Sequence, residues 1–296
     1  MQELILKSEP QFFEGMAWYR PAPGNGPPLL CLSGYQDTAK TFLFLDEVLG
    51  RFDPILLDWR GQGASMRRER MYTIQEAFAD LIRFINIQLP QVTEGPVHIL
   101  AHSMGAALAA RFAGTLPERV RSLVLVEGFS GIISADAEAD RLRSWAEHLT
   151  EDVERDGRSM NDIADVERVL SRIHRGVRKD RIAVLARLLA RPQDPAEPDR
   201  NFVWVHDPFL KNGTVPLSFA PEISRALWRR IAVPVLLFLG KKSHLHPGPA
   251  RLPEILSHFK TLELCEVDGA GHNLHHDQPE ALVPEMLAFY GKHGFL

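Results

Sequence analysis

Four short apolar runs, PPLLCLSG, DPILLDWRG, PVHILAHS and VRSLVLVEG, occur in the first half of the chain, each bounded by Pro, Gly or charge. Uninterrupted apolar runs of this length mark strands buried on both faces. Longer amphipathic segments separate them; in IQEAFADLIRFINIQL, Ile74 to Leu89, apolar residues recur at helical spacing. Strands alternating with helices require a mostly parallel sheet with helices on both faces. The pattern breaks after about Ile133 and resumes with VPVLLFLG (233–240), TLELCEVDG (261–269) and a last helix from Pro279 to about Lys292. Between the two halves the chain is arginine-rich, with Leu, Ile and Val at helical spacing and a turn-rich stretch, RPQDPAEPDR. The expected organisation is an α/β core of residues 1–133 and 231–296, interrupted by a helical insertion of residues 134–230.

Composition excludes several classes. Hydrophobic residues make up 45% and charged residues 24%, with a net charge of −4, so no basic footprint for nucleic acid or an anionic membrane is present. No run approaches the roughly 20 apolar residues of a membrane helix, and MQELILKSEP lacks the apolar stretch of a signal peptide. Cys31 and Cys265, the two cysteines, lie in apolar runs and read as reduced core thiols. These features point to a soluble, cytoplasmic monomer or homodimer acting on a small molecule.

The third strand ends in Ala-His-Ser-Met-Gly, residues 101–105, followed by an alanine-rich helix. Ligands of open parallel sheets bind beyond the carboxyl ends of the strands, where Ser103 falls. A serine before a helix is commonly an N-cap. Here the small residues Ala101 and Gly105 flank it two positions away, as a tight strand-to-helix turn exposing a nucleophile demands, and the pentapeptide is a G-x-S-x-G variant. His272 follows Gly269, Ala270 and Gly271 after the last strand and can supply the base that a serine hydroxyl needs. His275 and His276 read as loop residues, as do His102, His244 and His246, with pocket lining open to His102. No metal-ligand spacing with a supporting carboxylate is visible, so neither a metal nor a cofactor is expected.

Taken in order, LLCLSGY (29–35), DWRGQGAS (58–65), AHSMG and DGAGHNLHHDQPE (268–280) resemble the α/β-hydrolase superfamily, and FVWVHDPFLKNGTVPLSF (202–219) resembles more weakly the cap of its serine-hydrolase-like subgroup. The resemblance implies an α/β-hydrolase fold with a cap, Ser103 as nucleophile, His272 as base, an oxyanion hole of the Tyr35 and Met104 backbone N–H groups, and Gly34 as a residue of the substrate pocket. Ser33 stands where the family usually has His, and the Asp58–Arg60 loop reads as a structural clamp. The family's usual acid position, Gly-x-x-Asp, is Gly240-Lys241-Lys242-Ser243 here, and a serine cannot stabilise an imidazolium. Some members place the acid at the end of the strand after the nucleophile helix, where this chain has Glu127; Asp268 and Asp207 are the weaker candidates. The activity implied is hydrolysis of small or medium apolar esters, lactones or thioesters. A carbon–carbon hydrolase, a cofactor-independent ring-opening dioxygenase and a non-catalytic ligand-binding protein are the alternatives.

Overall fold

A computed structural model describes residues 1–68, 71–128, 135–148, 159–210 and 219–296. Its strands are β1 (Gln11–Phe13), β2 (Met16–Tyr19), β3 (Pro28–Leu32), β4 (Asp53–Leu57), β5 (Val97–His102), β6 (Val120–Val126), β7 (Ala190–Pro192), β8 (Phe202–Trp204), β9 (Val235–Gly240) and β10 (Leu262–Val267). The described helices are α1 (Gln2–Lys7), α2 (Asp46–Leu49), α3 (Ile74–Arg83), α4 (Met104–Thr115), α5 (Ala135–His148), α6 (Ile163–Ile173), α7 (Lys179–Leu189), α8 (Pro221–Trp228), α9 (Leu252–Leu256), α10 (Leu274–Asp277) and α11 (Pro279–Lys292).

Eight strands form one sheet in the order β1-β2-β4-β3-β5-β6-β9-β10. From β4 to β10 all neighbours are parallel; β2 joins β4 antiparallel, and β1 joins β2 antiparallel. The period-two alternation of each strand divides its apolar residues between two cores. Leu30, Leu32, Ile99 and Ala101 pack on one face with Phe112 of α4. Leu29, Cys31, Leu100 and Val124 pack on the other with Met286 and Tyr290 of α11. Both faces are therefore covered, which explains why the parallel strands are apolar throughout. Cys31 is buried and Cys265 half-buried, and both are free.

Two local expectations change. The helix expected over 74–89 is α-helical only to Arg83, then continues as a π turn (Phe84–Gln88) and a 3-10 turn (Leu89–Gln91). Pro90 has no N–H to donate to the preceding turn, so the regular α-helical ladder cannot continue through it. The stretch RPQDPAEPDR ends strand β7 at Pro192 and then forms the loop of the β7–β8 hairpin, antiparallel with Ala190 opposite Trp204. Within the 134–230 segment, α6 and α7 bury Val166, Leu170, Ile182 and Leu185 against each other; Arg168, Arg172 and Arg187 are exposed, whereas Arg181 turns back to Glu280 and the Asp277 carbonyl. At its far end Trp228 of α8 joins the apolar cluster of the sheet, and Leu227 lies against Gly114 of α4. The 133/134 boundary and residues 211–218 of the proposed cap motif lie outside the described residues.

Candidate active site

Strand register brings the key residues together. His102 of β5 pairs with Val126 of β6, so Ser103 and Glu127 are the first residues beyond neighbouring strand ends. Both have positive φ, +51° and +54°. A non-glycine residue in this region carries strain of order 1–3 kcal/mol, held only by its surroundings. Here the surroundings are the turns themselves: the Ser103 N–H donates to the carbonyls of Val126 (3.0 Å) and Glu127 (2.9 Å). The Ser103 hydroxyl makes no capping bond to α4, which rejects the N-cap reading. It lies instead 2.8 Å from His272 Nε2.

The need for small neighbours is steric. A Cβ on Gly105 would stand 2.5 Å from the Leu32 carbonyl oxygen and 2.6 Å from that of Ser33. A Cβ on Gly34 would stand 2.7 Å from His102 Nδ1 and 3.2 Å from the Ser103 Cβ. The elbow and the loop after β3 thus meet in close contact at Gly105 and Gly34.

His272 Nδ1 lies 3.2 Å from Glu127 Oε2. The carboxylate is 1% exposed, and its cost of burial is met by three donors. Oε1 accepts from the Gly240 N–H (2.7 Å), and Oε2 accepts from the Ser243 hydroxyl (2.8 Å) as well as from His272. Ser243 itself accepts from the Leu245 N–H (3.1 Å), which aims its proton at Glu127. The residue at the family's usual acid position therefore donates to the carboxylate at the end of the neighbouring strand β6. The rival acids lie elsewhere: the Asp268 side chain is 87% exposed and paired with Lys241, while Asp207 accepts from the Tyr72 hydroxyl at 2.6 Å.

The DWRGQGAS loop braces the loop after β3, and its Asp58 and Arg60 bind different partners. Asp58 accepts from the Thr38 hydroxyl (2.7 Å), the Ala39 N–H (2.8 Å) and the Tyr19 hydroxyl (3.1 Å). Arg60 pairs instead with Asp80 (2.7 Å). Trp59 Nε1 donates to the Ser33 carbonyl (2.9 Å), which fixes the start of the loop after β3. Gln62, which sequence reasoning missed, grips both ends of the turn: its amide oxygen accepts from the Gln36 N–H, and its Nε2 donates to the Gly34 carbonyl (3.2 Å). Its presence in the DWRGQGAS motif was the available signal.

Three histidine readings need correction. His102 is not a loop residue: it ends β5, is 2% exposed, and its Nε2 donates to the His272 backbone carbonyl at 3.0 Å. His275 and His276 are on α10, fully buried against the 3-10 turn 39–45, with His275 5.2 Å from the Phe42 ring and His276 6.0 Å from that of Phe44. Burial lowers the pKa of all three rings, that of His275 to about 3, so they are neutral. The supporting carboxylate that no spacing revealed is Asp37, which the fold places beside them.

The sequence model of the α/β-hydrolase family matches residues 29–285. The chain belongs to the α/β-hydrolase family. A relative within it, 2-(acetamidomethylene)succinate hydrolase of Mesorhizobium japonicum, is 23% identical over 90% of this chain and 88% of its own length. The serine hydrolase-like protein of Danio rerio is 32% identical over 39% of this chain and 34% of its own. The chain spans less than half the length of the first curated relatives it matches. Among solved structures, a thioesterase domain from the curacin biosynthetic pathway superposes with a TM-score of 0.77 at 21% identity, over 95% of this chain and 99% of that one. That likeness is one of fold: an α/β-hydrolase sheet with Ser103 at its elbow. No described helix is long and apolar enough to cross a membrane.

Proposed function

We propose that this α/β-hydrolase is an esterase-type serine hydrolase with a Ser103–His272–Glu127 triad, acting on small or medium apolar carboxylic esters, lactones or thioesters. The observation that carries the reading is the hydrogen bond from a strained, uncapped Ser103 to His272 Nε2 at 2.8 Å. Ser103 Oγ attacks the acyl carbon while its proton passes to His272 Nε2. Glu127 holds the Nδ1–H tautomer and stabilises the imidazolium. The backbone N–H groups of Met104 and Tyr35 donate to the developing oxyanion. His272 returns the proton to the leaving alcohol or thiol, then takes one from the water that releases the acid.

Substrate size is a matter for residues 134–230, which we read as a cap. Two contacts support that reading: the Tyr35 hydroxyl donates to the Leu210 carbonyl, and Asn273 Nδ2 donates to His174 Nδ1 (3.1 Å). Both loops beside Ser103 are thus tied to the insertion. The two free thiols agree with a reducing, cytoplasmic setting. The test is pre-steady-state hydrolysis of p-nitrophenyl esters of increasing acyl length. A burst of one equivalent of nitrophenol, absent in Ser103→Ala, supports an acyl-enzyme; hydrolysis surviving that substitution refutes it.

A further inference from the structure

A second cluster lies behind the catalytic histidine, and the mechanism does not use it. Asp37 comes from the oxyanion loop, His102 from the nucleophile elbow, and His275 from the helix after the histidine loop. One ligand atom from each lies within 4.8 Å of the other two, and all three side chains are buried. We propose that Asp37, His102 and His275 form a binding site for one divalent transition-metal ion of the zinc or cobalt class, which pins the three catalytic loops together.

The geometry fits an ion better than a hydrogen-bonded cluster. His275 Nε2 is 3.6 Å from Asp37 Oδ2, too long for a hydrogen bond. It is close to the edge of a tetrahedral site, about 3.4 Å for bonds of 2.0–2.1 Å. His276 Nε2 stands 3.7 Å from the same oxygen, a fourth donor in reach. Neither ring nitrogen of His275 or His276 has a hydrogen-bond partner, although both rings are buried. Buried polar atoms without partners are rare and call for an explanation. Because His102 donates Nε2–H to the His272 carbonyl, its Nδ1 carries the lone pair, and that atom is also unpartnered. A ligating histidine characteristically donates its other N–H to a carbonyl in this way. Asp37 is oriented likewise, by the Thr38 N–H (2.8 Å) and the Thr41 hydroxyl (3.1 Å).

The donor set selects the ion. Neutral imidazoles with one carboxylate suit zinc, cobalt or nickel, whereas magnesium and calcium require oxygen donors. A dication also offsets the burial of the Asp37 carboxylate, whose pKa desolvation otherwise raises.

The test is a cobalt(II) titration of chelator-treated full-length protein, read by visible d–d absorption, in wild type, Asp37→Asn, His275→Gln and a surface control, His246→Gln/His258→Gln. The control removes two partly exposed His–Glu pairs, so that uptake at such surface pairs is not mistaken for the buried site. The expected result is one equivalent bound with a tetrahedral spectrum in wild type and control, competed by zinc, with a thermal midpoint raised by several degrees. Asp37→Asn and His275→Gln should weaken it by ~100-fold or more. If either variant fails to fold, X-ray absorption of cobalt-loaded control protein decides by itself: backscattering from two or more imidazoles is expected. No uptake by the control, uptake unchanged in folded Asp37→Asn and His275→Gln, or a ligand sphere without imidazole overturns the proposal.

Discussion

Replacing Glu127 by Gln tests the proposed acid at a position where every hydrogen-bond partner is known. The carboxylate accepts from three donors: the Gly240 N–H, the Ser243 hydroxyl and His272 Nδ1. A carboxamide of the same shape has only one acceptor oxygen. The Gly240 N–H is a backbone donor that cannot reverse, so that oxygen must stay on the Gly240 side. The amide NH2 then faces Ser243 and His272. Ser243 can rotate its proton away, but His272 must present Nδ1 as an acceptor. Its proton moves to Nε2, toward Ser103, and the base is lost. The same wrong-tautomer substitution in a serine protease triad costs ~10⁴ in kcat. We expect phosphonylation of Ser103 in Glu127→Gln by a fluorophosphonate, with loss of fluoride, to be slowed ~10³- to 10⁴-fold, with a nearly unchanged urea midpoint because packing is kept. Ser243→Ala removes only a supporting donor and should slow labelling by less than ~30-fold, on the order of one hydrogen bond to a charged group. Stopped-flow labelling of the three proteins decides. A Glu127→Gln rate within tenfold of wild type, or Ser243→Ala as slow as Glu127→Gln, would refute the reasoning.

Four further outcomes follow from the same geometry. Ser103→Gly should abolish labelling yet raise stability by about 1 kcal/mol, since glycine accepts the +51° φ without strain; a lowered denaturation midpoint contradicts this. Gly105→Ala should cost ~1–3 kcal/mol and most of the activity, because its Cβ meets the Leu32 and Ser33 carbonyl oxygens of the oxyanion loop; an unchanged urea midpoint or labelling rate counts against it. Gln62→Ala should lower kcat ~10- to 100-fold with a smaller change in KM, as steady-state kinetics on an activated ester would show. Burial holds His98 and His206 at about 4 and His275 at about 3, so the unfolded chain binds protons that the folded chain refuses. Their contribution is complete above pH 6.5 and falls by about 1.4 kcal/mol per pH unit for each histidine between about 6.5 and 4; urea midpoints that stay flat over that range would contradict it.

Ser103, Met104 and His272 were legible because their signals are local. A turn between strand and helix demands small residues at fixed offsets, and Gly105 meets that demand against the Leu32 and Ser33 carbonyls. The Glu127 candidacy followed from a carboxylate at a strand end and the serine at 243. The way Ser243 donates to Glu127 was not legible, because it depends on β6 and β9 being neighbours. Nor was the meeting of Asp37 with His275 and His276, whose loops converge only across the assembled sheet. In sequence those histidines read as loop residues; in the fold a four-residue helix turns them inward under Phe42 and Phe44. The π turn after α3 has no propensity signal of its own, and the β7–β8 hairpin was hidden because its strands have only three residues each.

The most direct test of an activated Ser103 is intact-protein and peptide mass spectrometry after brief exposure to a fluorophosphonate. The account predicts one adduct per chain, on the peptide containing Ser103, absent in Ser103→Ala and slowed at least ~10³-fold in His272→Ala. No adduct on folded wild type, or an adduct that persists in Ser103→Ala, would contradict it.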